Sequence, residues 1–140
     1  IDDLHERAGS TKVLHLHGEI FKMRSVVDEG TVFDIRGDIH LGDTAADGAQ
    51  LRPHIVWFGE AVPMMETAAT LLNNCDYFVV AGTSLQVHPA ASLLYYAPPY
   101  LPKFIIDKKI PATEKMLNLH IIEMPATAGV VELKRILSTV

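Results

Sequence analysis

Hydrophobic and polar positions change their period along the chain. Asp2 to Ala8 reads as one short helix closed by Gly9, which can take the left-handed conformation that ends helices. Val13, Leu14 and Leu16 interleave with His15 and His17 as a short β-type run ending at Gly18, which places His17 where a strand opens into a loop. From Glu19 to Gln50 the pattern degrades. Val26–Val27, Thr31–Phe33 and Asp38–His40 are strand-like pieces separated by Gly30, Gly37, Gly42 and Gly48, and the stretch reads as a small irregular excursion.

After Pro53 four strand-then-helix units are predicted in order. His54 to Phe58 is a strand, followed by a helix over Met64 to Asn73 with Met65, Ala68, Ala69 and Leu72 on one face. Tyr77 to Ala81 is almost continuously apolar, as suits a parallel strand covered on both faces, and it ends in Gly82-Thr83-Ser84. Pro89 to Tyr96 is helical, Lys103 to Asp107 a third strand, Pro111 to Leu117 a short helix and Leu119 to Ile122 a fourth strand. Thr127 opens a last amphipathic helix through Val131, Leu133, Ile136 and Leu137. This alternation predicts an α/β chain with a parallel, doubly wound, Rossmann-like sheet.

Composition narrows the function classes. The 140 residues amount to one domain's worth of chain, and 49% hydrophobic residues are enough to fold it. With 12 Lys and Arg against 17 Asp and Glu, and no basic run, nucleic acid is not expected as a direct ligand. The single cysteine, Cys75, can form no internal disulfide and suits a reducing, cytosolic setting. No apolar stretch approaches the roughly 20 residues of a bilayer span, so no membrane partner is expected. The chain opens on Ile1 without an initiator Met, so a piece whose natural beginning lies upstream is expected.

In an open parallel sheet, ligands sit beyond the carboxyl ends of the strands. The sequence brings four segments to that edge: Leu16–Glu19, Val56–Glu60, Gly82–Leu85 and the loop after Ile106. Gly82-Thr83-Ser84 between a strand and a helix offers close backbone approach and hydroxyls for a phosphate or ribose, and equally fits an ordinary turn with Ser and Thr as caps. His17 suits a general base, since a free imidazole titrates at about 6.5, or else a half-buried strand-end histidine. His15 and His17 would share a strand face as a metal pair does, but no nearby spacing supplies the third and fourth ligands of a zinc site. Cys75 reads most simply as a small buried hydrophobe.

Taken together and in order, these segments resemble the NAD-dependent sirtuin protein deacylases over essentially the whole chain. Ile1-Asp2-Asp3-Leu4-His5 with Ala8-Gly9 resembles the end of the family's Gln-Asn-Ile-Asp-x-Leu-His-x-x-Ala-Gly motif. Leu14 to Glu19 resembles its catalytic-histidine motif, Arg52 to Glu60 its substrate-strand motif, and Gly82 to Val87 through Pro89-Ala90-Ala91 its NAD-ribose loop. The wording is closest to bacterial sirtuins of the type that includes desuccinylases.

The resemblance implies that an acyl-lysine oxygen attacks the ribose carbon bearing nicotinamide, and that the products are free lysine, nicotinamide and O-acyl-ADP-ribose. By position, His17 is the general base. Asp2, with the backbone around Ile1, would hold the nicotinamide carboxamide, and Gly82, Thr83 and Ser84 would contact ribose and phosphates. Val56, Phe58 and Val87 would line an apolar tunnel for the acyl-lysine, with the backbones of Gly59 and Glu60 pairing with the substrate peptide as an added strand. Asp107 or Lys108 would take the adenosine-ribose position, and Pro125-Ala126-Thr127 would meet adenine through its backbone. Residues 1–18 and 51–140 would belong to the Rossmann-like NAD-binding domain, and residues 19–50 to a small module.

Two departures stand out. Sirtuins commonly carry two cysteine pairs in the small module, but this interval holds none and Ser25 stands where the first is expected. Zinc is therefore not expected, and something else must hold the module together. The family's Gly-Ala-Gly-x-Ser phosphate loop is also missing, so the chain reads as a carboxyl-terminal half that is inactive by itself. A non-catalytic module that binds NAD or ADP-ribose is the alternative, with His17 as the residue that separates the two.

Overall fold

The structure, a computed structural model, describes residues 1–110, 113 and 116–138. The chain divides into two compact units, Ile1–Met64 and Met65–Val140.

In the first unit a one-turn helix α1 (Leu4–Arg7) ends at Ala8, and Gly9 takes a φ of +96° as expected of a helix terminator. Three strands follow, β1 (Gly18–Ser25), β2 (Val32–Asp34) and β3 (Leu51–Ile55), paired antiparallel in the order β2-β1-β3. Residues 13–17, expected as a strand, are not one. The Gly18 N–H donates back to the His15 carbonyl (3.2 Å), which makes a turn of Leu16 and His17, and the strand starts where the expected one was to end. The strand expected over His54 to Phe58 lies earlier, at Leu51–Ile55, and pairs with β1 in this antiparallel sheet rather than entering the parallel one. The chain bends after Val56 because the Glu60 N–H donates to the Trp57 carbonyl (3.1 Å). Of the three strand-like pieces in the irregular excursion only the Thr31–Phe33 piece becomes a strand, β2; Val26–Val27 and Asp38–His40 do not.

The second unit starts with α2 (Met65–Leu71), which tightens into a 3-10 turn at Leu72–Asn74. Then come β4 (Phe78–Ala81), a 3-10 turn at Ala90–Ser92 running into α3 (Leu93–Tyr96), β5 (Lys103–Asp107), β6 (Leu119–Glu123) and α4 (Ala126–Leu137). The three strands form a parallel sheet in the order β4-β5-β6, so the fold is α/β as the alternation predicts. β5 is central, and Ile105 and Ile106 are 0% exposed. β4 lies at the edge of this sheet instead of being covered on both faces, with Val79 39% exposed. The helix expected over Pro111–Leu117 falls largely outside the described residues. α4 begins at Ala126 after Pro125 with no side-chain cap, so Thr127 lies inside the helix and is not its cap. Cys75, half-buried, packs beside the Leu72, Ala97 and Leu101 cluster, as a small hydrophobe should.

Lys103, 3% exposed, gives its ammonium to the carbonyls of Pro98 (2.7 Å) and Leu101 (2.9 Å), which ties the turn before β5 to the strand it introduces. No helix among the described residues is long and apolar enough to cross a membrane. α4 packs its Leu133 with Phe104, Ile106 and Ile122, and partly buried Ile136 and Leu137 extend the cluster. Gly129 lets the helix approach so closely that an added Cβ would fall on Ile106 Cγ2.

Gly129→Ala is therefore expected to cost about 1–3 kcal/mol through overpacking, and less in an Ile106→Ala background, where the obstructing methyl is gone. Chemical denaturation of the four variants of that cycle measures both.

Candidate catalytic and nucleotide-binding residues

The histidine loop and the segment after β3 are one structure. Gly18 pairs with Ile55, and the Val56 N–H donates to the His17 carbonyl (3.0 Å). Gly18 holds a φ of +77°, and a Cβ there would strike the His54 carbonyl and stand 2.9 Å from Ile55 Cα. His17 is half-buried. Its neighbour His15 is spoken for, with Nε2 at 2.5 Å from Glu6 Oε1 and 3.9 Å from Glu19, so the two histidines do not form a metal pair. On the near side of the loop, the Ile20 N–H donates to the Ile1 carbonyl (2.7 Å), which ties Ile1 and Asp2 to β1. The Leu4 N–H donates to Asp2 Oδ1 (3.1 Å) and holds that carboxyl below its usual range, so Asp2 is an ionised acceptor.

A cleft of about 500 Å³ opens beside the histidine loop, walled by Leu16, Gly18, His54, Val56 and Glu60 among others. Val56 and Glu60 of the expected substrate segment share this wall; the residues flanking His17, and not His17 itself, contribute to it. Burial, with Arg24 nearby, pushes the His54 imidazole below its usual value, and its Nδ1 is buried with no hydrogen-bond partner among the described residues. Phe58, expected to line a tunnel, stands 93% exposed at the tip of the turn that follows.

That turn carries a feature the sequence reading missed. Arg52 Nη1 and Nη2 donate to the two Glu60 carboxylate oxygens (2.6 and 3.0 Å), Nη2 also donates to the Ile55 carbonyl (3.2 Å), and the guanidinium carbon lies 3.7 Å from the centre of the Trp57 ring. Glu60 Oε2 in turn accepts the Trp57 N–H (2.9 Å). The Arg52 fork, with the Trp57 N–H behind it, holds the Glu60 carboxyl down at about 2. A motif of Arg and Glu eight positions apart was visible, but nothing in its period said that the two side chains meet.

Within residues 19–50, expected to be a small module, the hydroxyl of Ser25, 2% exposed, donates to Asp47 Oδ2 (2.6 Å) and accepts the N–H groups of Val27 (3.0 Å) and Asp28 (3.2 Å). The Ser25 bond is also the main reason the Asp47 carboxyl lies below its usual range. Gln50 adds a second tie, with Nε2 donating to the His40 carbonyl (2.9 Å) and Oε1 accepting the Gly42 N–H (2.8 Å). This donor set does not fit a zinc ion. The group standing at the first cysteine position is a neutral hydroxyl already committed to three hydrogen bonds, and no cluster of three or more His, Cys, Asp or Glu exists among the described residues to complete a site.

The residues of the second unit expected to meet a nucleotide sit together for a topological reason. Parallel strands end at a common edge, and the register Ala81 with Ile106 and Asp107 with Glu123 sets the loops after β4, β5 and β6 side by side there. Gly82 donates its N–H to the Ile106 carbonyl (2.9 Å), and Thr83 Oγ1 accepts the Leu85 N–H (3.3 Å) in a loop that forces Leu85 to a φ of +54°. Gly82, Thr83, Ser84 and Val87 are exposed on this loop. Asp107 is turned to its own loop, with Oδ1 accepting the Lys109 N–H (3.0 Å), while Lys108 is exposed. Ala126 opens α4, and its N–H and that of Thr127 come before the first helical hydrogen bonds, which run from Ala128 and Gly129 to the Pro125 carbonyl (3.0 and 2.8 Å). Exposed hydroxyls and backbone N–H groups along one edge are the chemistry that ribose and phosphate oxygens require.

Comparison with known proteins bears on the same segments. The Sir2 family model matches residues 1–89. A protein of Bacteroides thetaiotaomicron named NAD-dependent protein deacylase is 46% identical over 143 residues, covering 98% of this chain and 61% of its own length. A crystal structure of a Sir2 homolog–NAD complex is 31% identical with a TM-score of 0.81, covering 98% of this chain and 55% of that one. Sir2Tm bound to a propionylated peptide is 26% identical with a TM-score of 0.76, covering 95% and 59%. The chain thus spans about three fifths of the length of the proteins it matches.

Two outcomes follow from the side-chain ties. Ser25→Ala removes the hydroxyl that accepts the Val27 and Asp28 N–H groups and donates to Asp47, so it is expected to loosen the 25–28 turn, read as faster amide exchange at Val27 and Asp28, while a chelator leaves the wild type unchanged. A depressed carboxyl stabilises above its unfolded value and ceases to as pH falls through the folded one. The Arg52–Glu60 tie is therefore complete above about 4.5 and lost as pH drops towards about 2. A carboxyl NMR titration of Glu60 with its midpoint near the ordinary value would contradict this.

Proposed function

Because the chain belongs to the Sir2 family, we propose that the protein carrying it uses NAD as a co-substrate to remove acyl groups from protein lysines, giving nicotinamide and O-acyl-ADP-ribose. The observation that carries the reading is the alignment of 98% of the chain, at 46% identity, with a protein named NAD-dependent protein deacylase. The NAD complex of a Sir2 homolog and the propionylated-peptide complex of Sir2Tm supply the two substrate classes. In this reading residues 1–18 and 51–140 serve the nucleotide and residues 19–50 are the small module. The setting is cytoplasmic, where a free thiol such as Cys75 stays reduced.

The residues have distinct tasks. His17 takes the proton from a ribose hydroxyl, which an imidazole does well near neutral pH. Asp2, ionised, accepts the carboxamide N–H of nicotinamide, with the Ile1 backbone beside it. Gly82, Thr83 and Ser84 bind ribose and phosphate oxygens, Asp107 or Lys108 the second ribose, and the backbone at Ala126 the adenine. Val56, Phe58 and Val87 are assigned to the acyl-lysine, whose neutral amide meets apolar side chains at far lower cost than a charged amine. Gly59 and Glu60 hold the peptide by backbone pairing.

Replacing His17 by Ala in the full-length natural protein is expected to lower deacylation by about 10²- to 10⁴-fold, the usual contribution of a general base, and to leave NAD binding in place. Turnover that survives the substitution would remove His17 from the mechanism. A wild type that binds ADP-ribose and turns nothing over would favour a non-catalytic binding module.

A further inference from the structure

Arg52 is placed for something other than stability. Its side chain is 11% exposed, and its Nε is buried with no hydrogen-bond partner among the described residues. Burying a guanidinium is costly before any pairing, and its partner carboxylate is far from fully withdrawn from water, so the pair returns little net folding energy. What the arrangement supplies is geometry. A planar fork on both Glu60 oxygens, a stack on Trp57 and a third bond to the Ile55 carbonyl leave one guanidinium fixing both ends of the 57–60 turn. Glu60 passes the constraint on by accepting the Trp57 N–H. The Glu60 carboxylate is then fully engaged within the protein, and what the turn offers outward is the Phe58 ring and the backbone around Gly59.

We propose that Arg52 is a positioning residue for the acyl-lysine peptide: through Glu60 and Trp57 it holds the 57–60 turn in the shape to which the peptide backbone adds as a strand. This rests on the reading of residues 56–60 as the peptide-binding segment. A turn ordered before binding spares the peptide the entropic cost of ordering it, so the loss of Arg52 falls on peptide affinity. It does not fall on the proton transfer at His17, which is held separately by the Val56 N–H.

The test compares wild type with R52Q, R52K and E60Q in the full-length natural protein, varying acyl-lysine peptide and NAD separately and following amide exchange at Trp57 and Glu60. For R52Q the peptide KM is expected to rise about tenfold, the worth of one charge-assisted bond, with kcat and the NAD KM within about twofold and faster exchange at both amides. R52K, which keeps the charge and loses the fork, rescues only part of this. An unchanged peptide KM overturns the proposal. So does a fall in kcat and both affinities together in step with a lowered melting temperature, which marks a merely structural role. If the wild type shows no NAD-dependent deacylation, the functional reading falls, and direct titration of the acyl-lysine peptide decides for Arg52. Weaker binding by R52Q then supports the proposal, and equal binding, or none by the wild type, overturns it.

Discussion

The missing side chain at Gly18 is the constraint on which the first unit turns. Only bare backbone at a left-handed φ lets β1 run against the His54 carbonyl, and that approach brings the His17 carbonyl within reach of the Val56 N–H. Once the two segments are joined, the cleft between them has fixed walls and the Arg52–Glu60 clamp has a fixed origin at β3. Any larger residue at this position would have to push the strands apart, and the histidine loop would part from the segment after β3 with them.

The two units are held by different forces. Every buried hydrophobic side chain among the described residues lies in Met65–Val140, while the buried residues of Ile1–Met64 are Arg24 and Ser25, both polar. A unit with so little apolar burial ordinarily leans on a metal or disulfides. The Ser25 knot occupies that place in the small module, but magnitudes say it does so differently. A structural zinc contributes on the order of 10 kcal/mol to folding, whereas each hydrogen bond nets about 1 kcal/mol. The knot therefore supplies orientation of the loops around it, and the stability of the unit is spread over many such ties, including Arg24 with Glu29 (2.9 Å) and Lys22 with Glu19 (2.9 Å).

That difference explains what was legible in the sequence. The strands at 78–81, 103–107 and 119–123 and the helices at 65–71 and 126–137 follow apolar period because packing against apolar neighbours is what forms them. In the first unit, period misled at both joints that matter. Val13 to His17 alternates like a strand, yet the Gly18 N–H turns the chain at His15. Ile55 to Phe58 is apolar like a strand, yet its last two residues are displayed on a turn and the paired segment begins earlier, through Pro53. Ser25 was legible only as a cysteine that is not there, since its partner Asp47 is 22 residues away in a stretch without period. The shared edge of the loops after 81, 107 and 123 was legible from topology, because parallel strands end on the same side.

Glu60 shows how far a motif can be carried by residue type alone. The geometry separates its two halves. The carboxylate accepts from Arg52 and from the Trp57 N–H, with its pKa held at about 2, and so stays charged and committed at any pH where the protein works. In the proposed reading only backbone groups around Phe58 and Gly59 and the Glu60 carbonyl are left for the peptide, and backbone pairing reads the presence of a strand more than its side chains. Discrimination among substrates in that reading then comes from the acyl-lysine itself and from the exposed Phe58, while the turn that Arg52 and Glu60 shape sets where on the protein that discrimination takes place.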